Sequence, residues 1–298
     1  MSITTRQASD IFNGFFANKQ IDILSNPSDF IVCQQTIRIG GVVDEDGLAK
    51  QLFDFVTSPA ASGIYYHYLS PDALKATLIS GCLRFYSTKK LSSEGEFIPF
   101  CEELGFDGYV RTDPKSGEKI GIFSDLMNEL YYKSFVESRT ANADEFWRVF
   151  ADNGKGARIQ VQIGVKTAYP DFRNLAYLGE ANVKTFKQLH DEFQKSDLEL
   201  NIPSISRMPA FCQLSKFSHH HEVRLLAKRH PKGLEFFPFA VEKDGKQDCN
   251  FIDCSFEKPT CEHFQIKLLG IELGVNSSEE SRTLVSDYFQ SVKSKVLG

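Results

Sequence analysis

Residues 64–87, IYYHYLSPDALKATLISGCLRFYS, are the stretch that decides the fold class. The stretch begins with a run of aromatic and apolar residues that is typical of a buried strand. Ser70 then suits a helix N-cap, Pro71 suits the first helical position, and Gly81 suits the end of the helix. From Cys82 the residues are again apolar and aromatic. The stretch is therefore predicted to fold as a strand, a helix and a second strand.

The rest of the chain mixes predicted strands and helices without regular alternation. Alternating apolar residues indicate strands, and apolar residues at helical spacing indicate helices. Strands are predicted at residues 131–138, 157–165, 222–228 and 263–274, and helices at 46–58, 142–154, 184–196 and 278–294. This mixture favours an α+β fold in which helices pack on a mixed sheet. We expect an N-terminal helical extension at residues 1–60 and one domain at residues 61–298.

Composition and charge exclude some classes of protein. Of the 298 residues, 42% are hydrophobic and 24% are charged, which is ordinary for a globular protein. A net charge of −5 argues against a constitutive nucleic-acid coat, because such proteins concentrate positive charge against phosphates. No apolar run approaches the roughly 20 residues of a membrane-spanning helix, and the seven cysteines are irregularly spaced. We expect a cytoplasmic protein with reduced thiols and no membrane partner.

Motifs of the common enzyme and metal-binding classes are mostly missing. The chain contains no GxxxxGK[ST], HExxH or GxSxG motif. The sequence offers four candidate zinc ligands: Cys249, Cys254, Cys261 and His263. Their spacing lacks the tight CxxC pair of structural zinc sites. The consecutive histidines at 219–221 are expected to point in different directions, which favours a surface loop. No metal is therefore expected.

Five segments in chain order resemble a bacterial family of unknown function, the domain family numbered 2971. After residues 64–87 they are LSSEGEF, FWRVFADNGKGARIQVQI, HHHEVRLL and IKLLGIELGVNSSEESRTLV. The resemblance runs to about residue 294, and the chain departs from the family pattern at Ser92, Ser93, Phe150 and Val223. The family is in turn similar to ADP-ribosyltransferases. The resemblance implies an ADP-ribosyltransferase-like split sheet, mixed or antiparallel, with packed helices and with NAD as the substrate held in its cleft.

The resemblance also implies which residues act on NAD. Glu222 would be the catalytic carboxylate, because cleavage of the nicotinamide bond builds positive charge on the ribose. His67 would hydrogen-bond the adenosine ribose. Tyr86 would stack on the nicotinamide, with Tyr131 or Tyr132 as alternatives.

Further residues complete the expected site. Tyr68 and Ser87 are assigned to cofactor binding, although Tyr68 points away from His67 in a regular strand. Arg224 lies on the same strand face as Glu222 and would pair with a cofactor phosphate or anchor Glu222. Glu96, in a loop-like segment, would contact the acceptor. Each residue also has a plain structural interpretation: a salt bridge, a strand-edge carboxylate, a buried histidine or a solvated loop.

Three functions remain open at this point. The first is transfer of ADP-ribose from NAD to a macromolecular acceptor (protein, RNA or DNA) by a toxin or antiviral-defence effector with an antitoxin or regulatory partner. The second is an NAD glycohydrolase, in which water replaces the acceptor. The third is a non-catalytic module that binds a nucleotide or a partner.

Overall fold

A computed structural model describes most of the chain. The described residues are 3–33, 36–39, 47–93, 110–112, 119–121, 127–137, 143–167, 171–202, 205–229, 239–245, 249–257 and 262–297. The α-helices are α1 (Thr5–Asn18), α2 (Leu48–Val56), α3 (Pro71–Ser80), α4 (Lys89–Ser93), α5 (Ala143–Val149), α6 (Ala181–Gln194) and α7 (Glu279–Leu297). Short 3-10 helices are formed by Pro27–Asp29, Ile205–Phe211 and Ser215–His220.

The strands are numbered in chain order. They are β1 (Phe30–Cys33), β2 (Thr36–Ile39), β3 (Gly63–Leu69), β4 (Cys82–Ser87), β5 (Val110–Thr112), β6 (Lys119–Gly121), β7 (Leu130–Glu137), β8 (Ala157–Val165), β9 (Asp171–Asn174), β10 (Ala176–Tyr177), β11 (Glu199–Asn201), β12 (Cys212–Gln213), β13 (Glu222–Lys228), β14 (Glu242–Asp244), β15 (Cys249–Ser255) and β16 (Phe264–Leu273). The chain is thus a mixed α+β protein, as the sequence predicted. In the described helices, no segment is both long and apolar enough to cross a membrane.

The chain divides into two compact units. Unit 1 consists of Met1–Pro59, Leu91–Met127 and Arg173–Ser218, and unit 2 consists of Ala60–Lys90, Asn128–Phe172 and His219–Gly298. Residues 1–59 therefore share a unit with a segment from the middle of the chain. The division into an extension at 1–60 and a domain at 61–298 stays a prediction.

Unit 1 contains a small sheet in the order β1-β2-β11, together with α1, α2 and α6. Helix α1 was not predicted from the sequence, although it begins with a capping box between Thr4 and Gln7. Its buried face includes Phe12 and Phe16, whose ring centroids lie 4.8 Å apart. Such packing stabilises a helix whose sequence alone has modest helical preference.

Unit 2 contains the strands of the main sheet in the order β14-β15-β4-β7-β3-β8-β16, and β13 pairs with β7. The predicted strand, helix and strand at residues 64–87 are confirmed as β3, α3 and β4. The Ser70 hydroxyl accepts a hydrogen bond from the Ala73 amide at 3.4 Å. Gly81 ends α3 in the left-handed conformation with φ of 64°. Both caps are those that the sequence predicted.

The two edges of β7 are paired differently. One edge is paired along its length with β13. On the other edge, Tyr131 and Tyr132 pair with the end of β4, whereas Val136 and Glu137 pair with the start of β3. In the described sheet, residues 133–135 pair with neither strand on this edge. We call this gap between β3 and β4 the fork.

The two faces of the sheet differ in chemistry. One face, which we call the core face, carries a continuous apolar cluster that includes Leu69, Phe85, Phe135, Ile159 and Leu225. By strand alternation the opposite face carries side chains such as Tyr66, Arg84, Tyr86, Tyr132, Arg158, Glu222 and Arg224. We call it the polar-aromatic face. Sheets with one apolar and one polar face commonly bury the first and use the second for contacts with water or ligands.

Candidate functional site

Glu222 and Arg224 form a buried ion pair on the polar-aromatic face. The Arg224 Nε atom donates to Glu222 Oε1 at 2.7 Å, and the two side chains are 2% and 11% exposed, respectively. Because residues two apart in a strand share a face, the regular geometry of β13 suffices to bring them together. Such a charge-assisted bond fixes the orientation of the carboxylate. Of the two roles that the sequence left open for Arg224, the observed contact matches the anchoring of Glu222.

Tyrosines flank this pair on the same face. The guanidinium carbon of Arg224 lies 5.4 Å from the centre of the Tyr132 ring. Tyr132 pairs in turn with Tyr86 across β7 and β4. The Lys90 ammonium lies 4.3 Å from the centre of the Tyr86 ring, which is within the range of a cation–π contact. The structure therefore brings Tyr86, Tyr132, Arg224 and Glu222 onto one face.

His67 lies at the fork. Its Nδ1 atom is 2.8 Å from the carbonyl oxygen of Ser134. Since a carbonyl oxygen only accepts, Nδ1 carries the proton, and Nε2 of a neutral ring is left as an acceptor. Burial, followed by the charge of Lys133, lowers the pKa of His67 well below its ordinary value. His67 is therefore neutral at physiological pH.

His67 and Glu222 do not share a face of the sheet. His67 lies two residues from Tyr65 and from Leu69, which belong to the core face, so its side chain is also on that face. Its ring contacts Phe135 edge-on, with ring centroids 6.0 Å apart. Glu222 instead lies opposite Val136, on the polar-aromatic face. Ser134 is contacted from both sides, because its hydroxyl accepts from Arg224 Nε at 3.3 Å while its carbonyl accepts from His67. His67 and Glu222 are thus linked through Ser134 and Arg224 rather than assembled on one surface.

Basic groups gather at the fork, which the sequence analysis did not predict. Desolvation, and then the charge of Lys90, lowers the pKa of Lys133 to about 7. The charges of Lys133 and Lys90 also lower the pKa of His67, so all three groups lie within electrostatic reach of one another. The charge of Asp253 acts in the opposite direction, but its effect on Lys133 is smaller than those of burial and Lys90. Lys90 and Lys133 therefore bring positive charge to the neutral His67 ring, and this charge would attract an anion.

The other predicted residues have different surroundings. Tyr68 is buried between Phe146 and Trp147, and its hydroxyl accepts from Arg158 at 3.4 Å. Ser87 is completely buried. Glu96 lies outside the described residues.

Tyr131, one of the two alternatives for the nicotinamide contact, is fully buried in the apolar cluster of the core face. Burial, with the charge of Glu129, raises the pKa of its hydroxyl to about 12. Tyr132 shares the polar-aromatic face with Glu222, so it is the alternative that the structure brings to the candidate site.

The histidine run is arranged differently from the sequence expectation. His219 Nε2 lies 2.9 Å from Glu145 Oε2, and His220 Nε2 lies 3.8 Å from the same oxygen. The hydrogen bond with His219 lowers the pKa of Glu145. His221 is exposed and has a φ of 47°, which turns the chain into β13. Two of the three imidazoles therefore converge on one carboxylate.

The cysteine-rich segment forms a strand. Cys249 and Cys254 are buried in β15, Cys261 lies outside the described residues, and His263 Nδ1 contacts the Thr167 hydroxyl at 2.9 Å. The structure gives no grouping of these residues as ligands in the described part of the chain.

A surface pocket of about 400 Å³ lies elsewhere in unit 2. It is lined by Asp144, Trp147, Arg148, Asn153, Gly154, Glu272, Leu273, Gly274 and Val275. None of the predicted site residues contributes to its walls.

Comparisons of the chain with protein-family models, with curated proteins and with solved structures found no match. The candidate site therefore has to be interpreted from its own residues.

Proposed function

We propose that this chain is an ADP-ribosyltransferase-like enzyme that consumes NAD and transfers ADP-ribose to a macromolecular acceptor. The observation that carries the proposal is the fork in the main sheet, with the oriented Glu222 carboxylate on the opposite edge of β7. The resemblance implies that the dinucleotide is held in a cleft of a split sheet, and the fork is where the strands of this sheet separate. The sequence resemblance also supports the proposal.

The charges at the fork suit a dinucleotide. NAD carries a pyrophosphate, and Lys90 and Lys133 provide positive charge at the fork, which the charge of Asp253 offsets only in part. Tyr86 and Tyr132 offer aromatic faces for a nicotinamide ring. The neutral His67 ring offers Nε2 as an acceptor for a ribose hydroxyl. The residues present therefore match NAD in charge, aromatic stacking and hydrogen-bonding chemistry.

The reaction requires little acid catalysis. The bond between the ribose C1′ atom and the nicotinamide nitrogen breaks, and its electron pair neutralises the cationic ring as it leaves. The acceptor nucleophile forms the new bond to C1′, and its proton passes to the Glu222 carboxylate or to water. The ionised Glu222 also stabilises the positive charge that develops on the ribose. Arg224 acts as a positioning residue, because it holds the carboxylate in one orientation.

The test is nicotinamide release from NAD by the purified protein, with and without cell extract as a source of acceptor. Glu222→Gln removes the charge and keeps the size, so release is expected to fall by at least about 100-fold, as for the loss of one electrostatic stabiliser in other enzymes. Glu272→Gln is the matched control, because Glu272 also pairs with an arginine on this sheet and is 56% exposed. Release by Glu272→Gln should equal that of the wild type.

Product analysis separates the two enzymatic functions. Labelled ADP-ribose on a macromolecule indicates a transferase, whereas free ADP-ribose indicates an NAD glycohydrolase. Release that is unchanged in Glu222→Gln would contradict the assignment of Glu222. A role as a toxin or antiviral-defence effector, with an antitoxin or regulatory partner, extends the transferase proposal and is supported by the sequence resemblance alone.

The separation of His67 and Glu222 favours a second candidate, a non-catalytic nucleotide-binding module. In such a module the basic groups at the fork bind the nucleotide, and the Glu222–Arg224 pair is structural. Calorimetric binding of NAD without nicotinamide release, weakened in Lys133→Met and unchanged in Glu222→Gln, would favour this candidate.

A further inference from the structure

Two histidines and a glutamate in unit 2 have potential metal-ligand atoms that lie close together. These atoms, from Glu145, His219 and His220, all lie within 4.8 Å of one another. The distances from Glu145 Oε2 to the two Nε2 atoms are 2.9 Å and 3.8 Å. Ligands bound to zinc at about 2.0–2.1 Å in a tetrahedral site are separated by about 3.4 Å. The two distances from Glu145 bracket that value and the third separation is at most 4.8 Å, so small side-chain movements would bring all three ligand atoms to this spacing.

The local backbone explains how neighbouring histidines converge. His219 and His220 end the 3-10 helix Ser215–His220, and their ring centroids lie 4.4 Å apart at an angle of 75°. The left-handed conformation of His221 then redirects the chain. In an extended strand, by contrast, adjacent side chains would point to opposite faces. The 3-10 turn therefore brings the His219 and His220 rings together, which a regular strand could not do.

The cluster is fixed on one side and open on the other. The His220 ring is 6% exposed and packs edge-on against Phe146, with centroids 5.0 Å apart. Glu145 precedes Phe146 in α5, so the same contact also holds the backbone that carries the carboxylate. The side chains of His219 and Glu145 are 42% and 35% exposed, respectively. An ion can therefore enter from solvent without unfolding the protein.

We infer that Glu145, His219 and His220 form a binding site for a divalent transition-metal ion of the zinc class. Imidazole nitrogen with one carboxylate oxygen is a ligand set that zinc uses, whereas calcium and magnesium require mainly oxygen. Three protein ligands leave a fourth position for water or another ligand. This inference does not depend on the proposed function of Glu222.

The test is calorimetric titration of the full chain, free of any polyhistidine tag, with ZnCl2, after treatment with a chelator. We expect one Zn2+ per chain. His219→Ala and Glu145→Gln, both at exposed side chains, should each weaken the affinity by at least about 100-fold, since loss of outer-shell partners alone costs 10–100-fold. Circular dichroism of the metal-free variants checks that they remain folded.

His221→Asn is the matched control. It removes the adjacent exposed imidazole, and asparagine tolerates the left-handed backbone. The Zn2+ affinity of this variant should equal that of the wild type. Co2+ in place of Zn2+ should give a visible absorption band with the wild type and with His221→Asn, but not with His219→Ala. Absence of Zn2+ binding to the wild type would overturn the inference, and so would an equal loss of affinity in His221→Asn and His219→Ala.

Discussion

The His67 ring donates from Nδ1 to the carbonyl oxygen of Ser134 at 2.8 Å, at the point where β3 and β7 are no longer paired. A side chain therefore takes the place of a strand at this carbonyl, which would otherwise be short of a partner on that edge. The bond lets the sheet separate at the fork without an unsatisfied group at Ser134. It also fixes which nitrogen of His67 remains available to a ligand.

Loss of Arg224 should strongly destabilise the protein. In Arg224→Met, Glu222 remains at a site where its side chain is only 11% exposed, and its charge has lost the guanidinium. Breaking a buried ion pair from one side typically lowers the free energy of unfolding by about 3–5 kcal/mol. Urea denaturation of the variant measures the loss.

The exposed pair of Lys75 and Glu280 provides the control for this measurement. Both side chains are more than half exposed, so Lys75→Met should change the free energy of unfolding by less than about 1 kcal/mol. The double variant Arg224→Met, Glu222→Leu should recover much of the stability, because it removes both charges. If Arg224→Met unfolds at the same urea concentration as the wild type, the pair is not structural.

Replacement of Lys133 should stabilise the protein in a pH-dependent way. Lys133 has a pKa of about 7 in the folded chain, against 10.5 for an ordinary lysine. Between these two values the unfolded state binds more protons, so the contribution of Lys133 to stability rises with pH. Lys133→Met should therefore be more stable than the wild type by about 1–3 kcal/mol at pH 6.

That advantage of Lys133→Met should shrink as the pH rises from about 7 to 10.5, because the native lysine becomes neutral when folded. Urea denaturation at pH 6, 8 and 10 measures the difference between the two proteins. Lys75→Met again serves as a control, since the bond to Glu280 raises the pKa of Lys75. An advantage that is constant across this range would mean that Lys133 is not desolvated at the fork.

A methyl group at Gly156 should disrupt the contact between β3 and β8. An added Cβ atom would lie 1.9 Å from the Leu69 carbonyl oxygen, which belongs to the backbone and cannot rotate away. We expect Gly156→Ala to lower the free energy of unfolding by about 3 kcal/mol, the upper end of the usual cost of overpacking. Thermal and urea denaturation would both detect this loss.

Gly164, which lies within β8, is the matched control for Gly156, which immediately precedes that strand. No atom lies within 4 Å of a Cβ added at Gly164, so Gly164→Ala should remain within about 0.5 kcal/mol of the wild type. Equal stability of the two variants would show that the backbone near Leu69 can move to accept a side chain.

Local signals in the sequence predicted much of unit 2 but not its sheet order. Ser70 and Gly81 act through their own backbone neighbours, so α3 and its flanking strands follow from a short window. Alternation likewise located β8, and a mostly apolar run located β13. The fork depends on which part of β7 pairs with β3 and which with β4, and those choices are made between distant residues. Periodicity carries no information about such pairing.

The candidate sites also depend on contacts between distant residues, which the sequence patterns do not predict. The bond between Glu222 and Arg224 could be foreseen because both lie on one strand. The cations at the fork come from β7 and α4, and Glu145 meets His219 only because α5 packs beside the 3-10 helix. These groupings depend on tertiary packing, which one sequence does not record. The convergence of His219 and His220 was missed because the expected strand-like geometry does not apply in a 3-10 turn.

The pairing of β7 with three strands, β3, β4 and β13, also bears on how the chain folds. Its three partner strands are joined to it by pairs that range from 44 residues apart (Ser87 with Tyr131) to 98 residues apart (Leu130 with Lys228). The contact order of the central strand is therefore high, and each pairing closes a long loop before it contributes stability. Partly folded chains must expose the aromatic residues of β7 until all three partners arrive. We therefore expect refolding to be slow and sensitive to protein concentration, and we expect a chain that lacks β13 to leave this strand with an open edge along its full length.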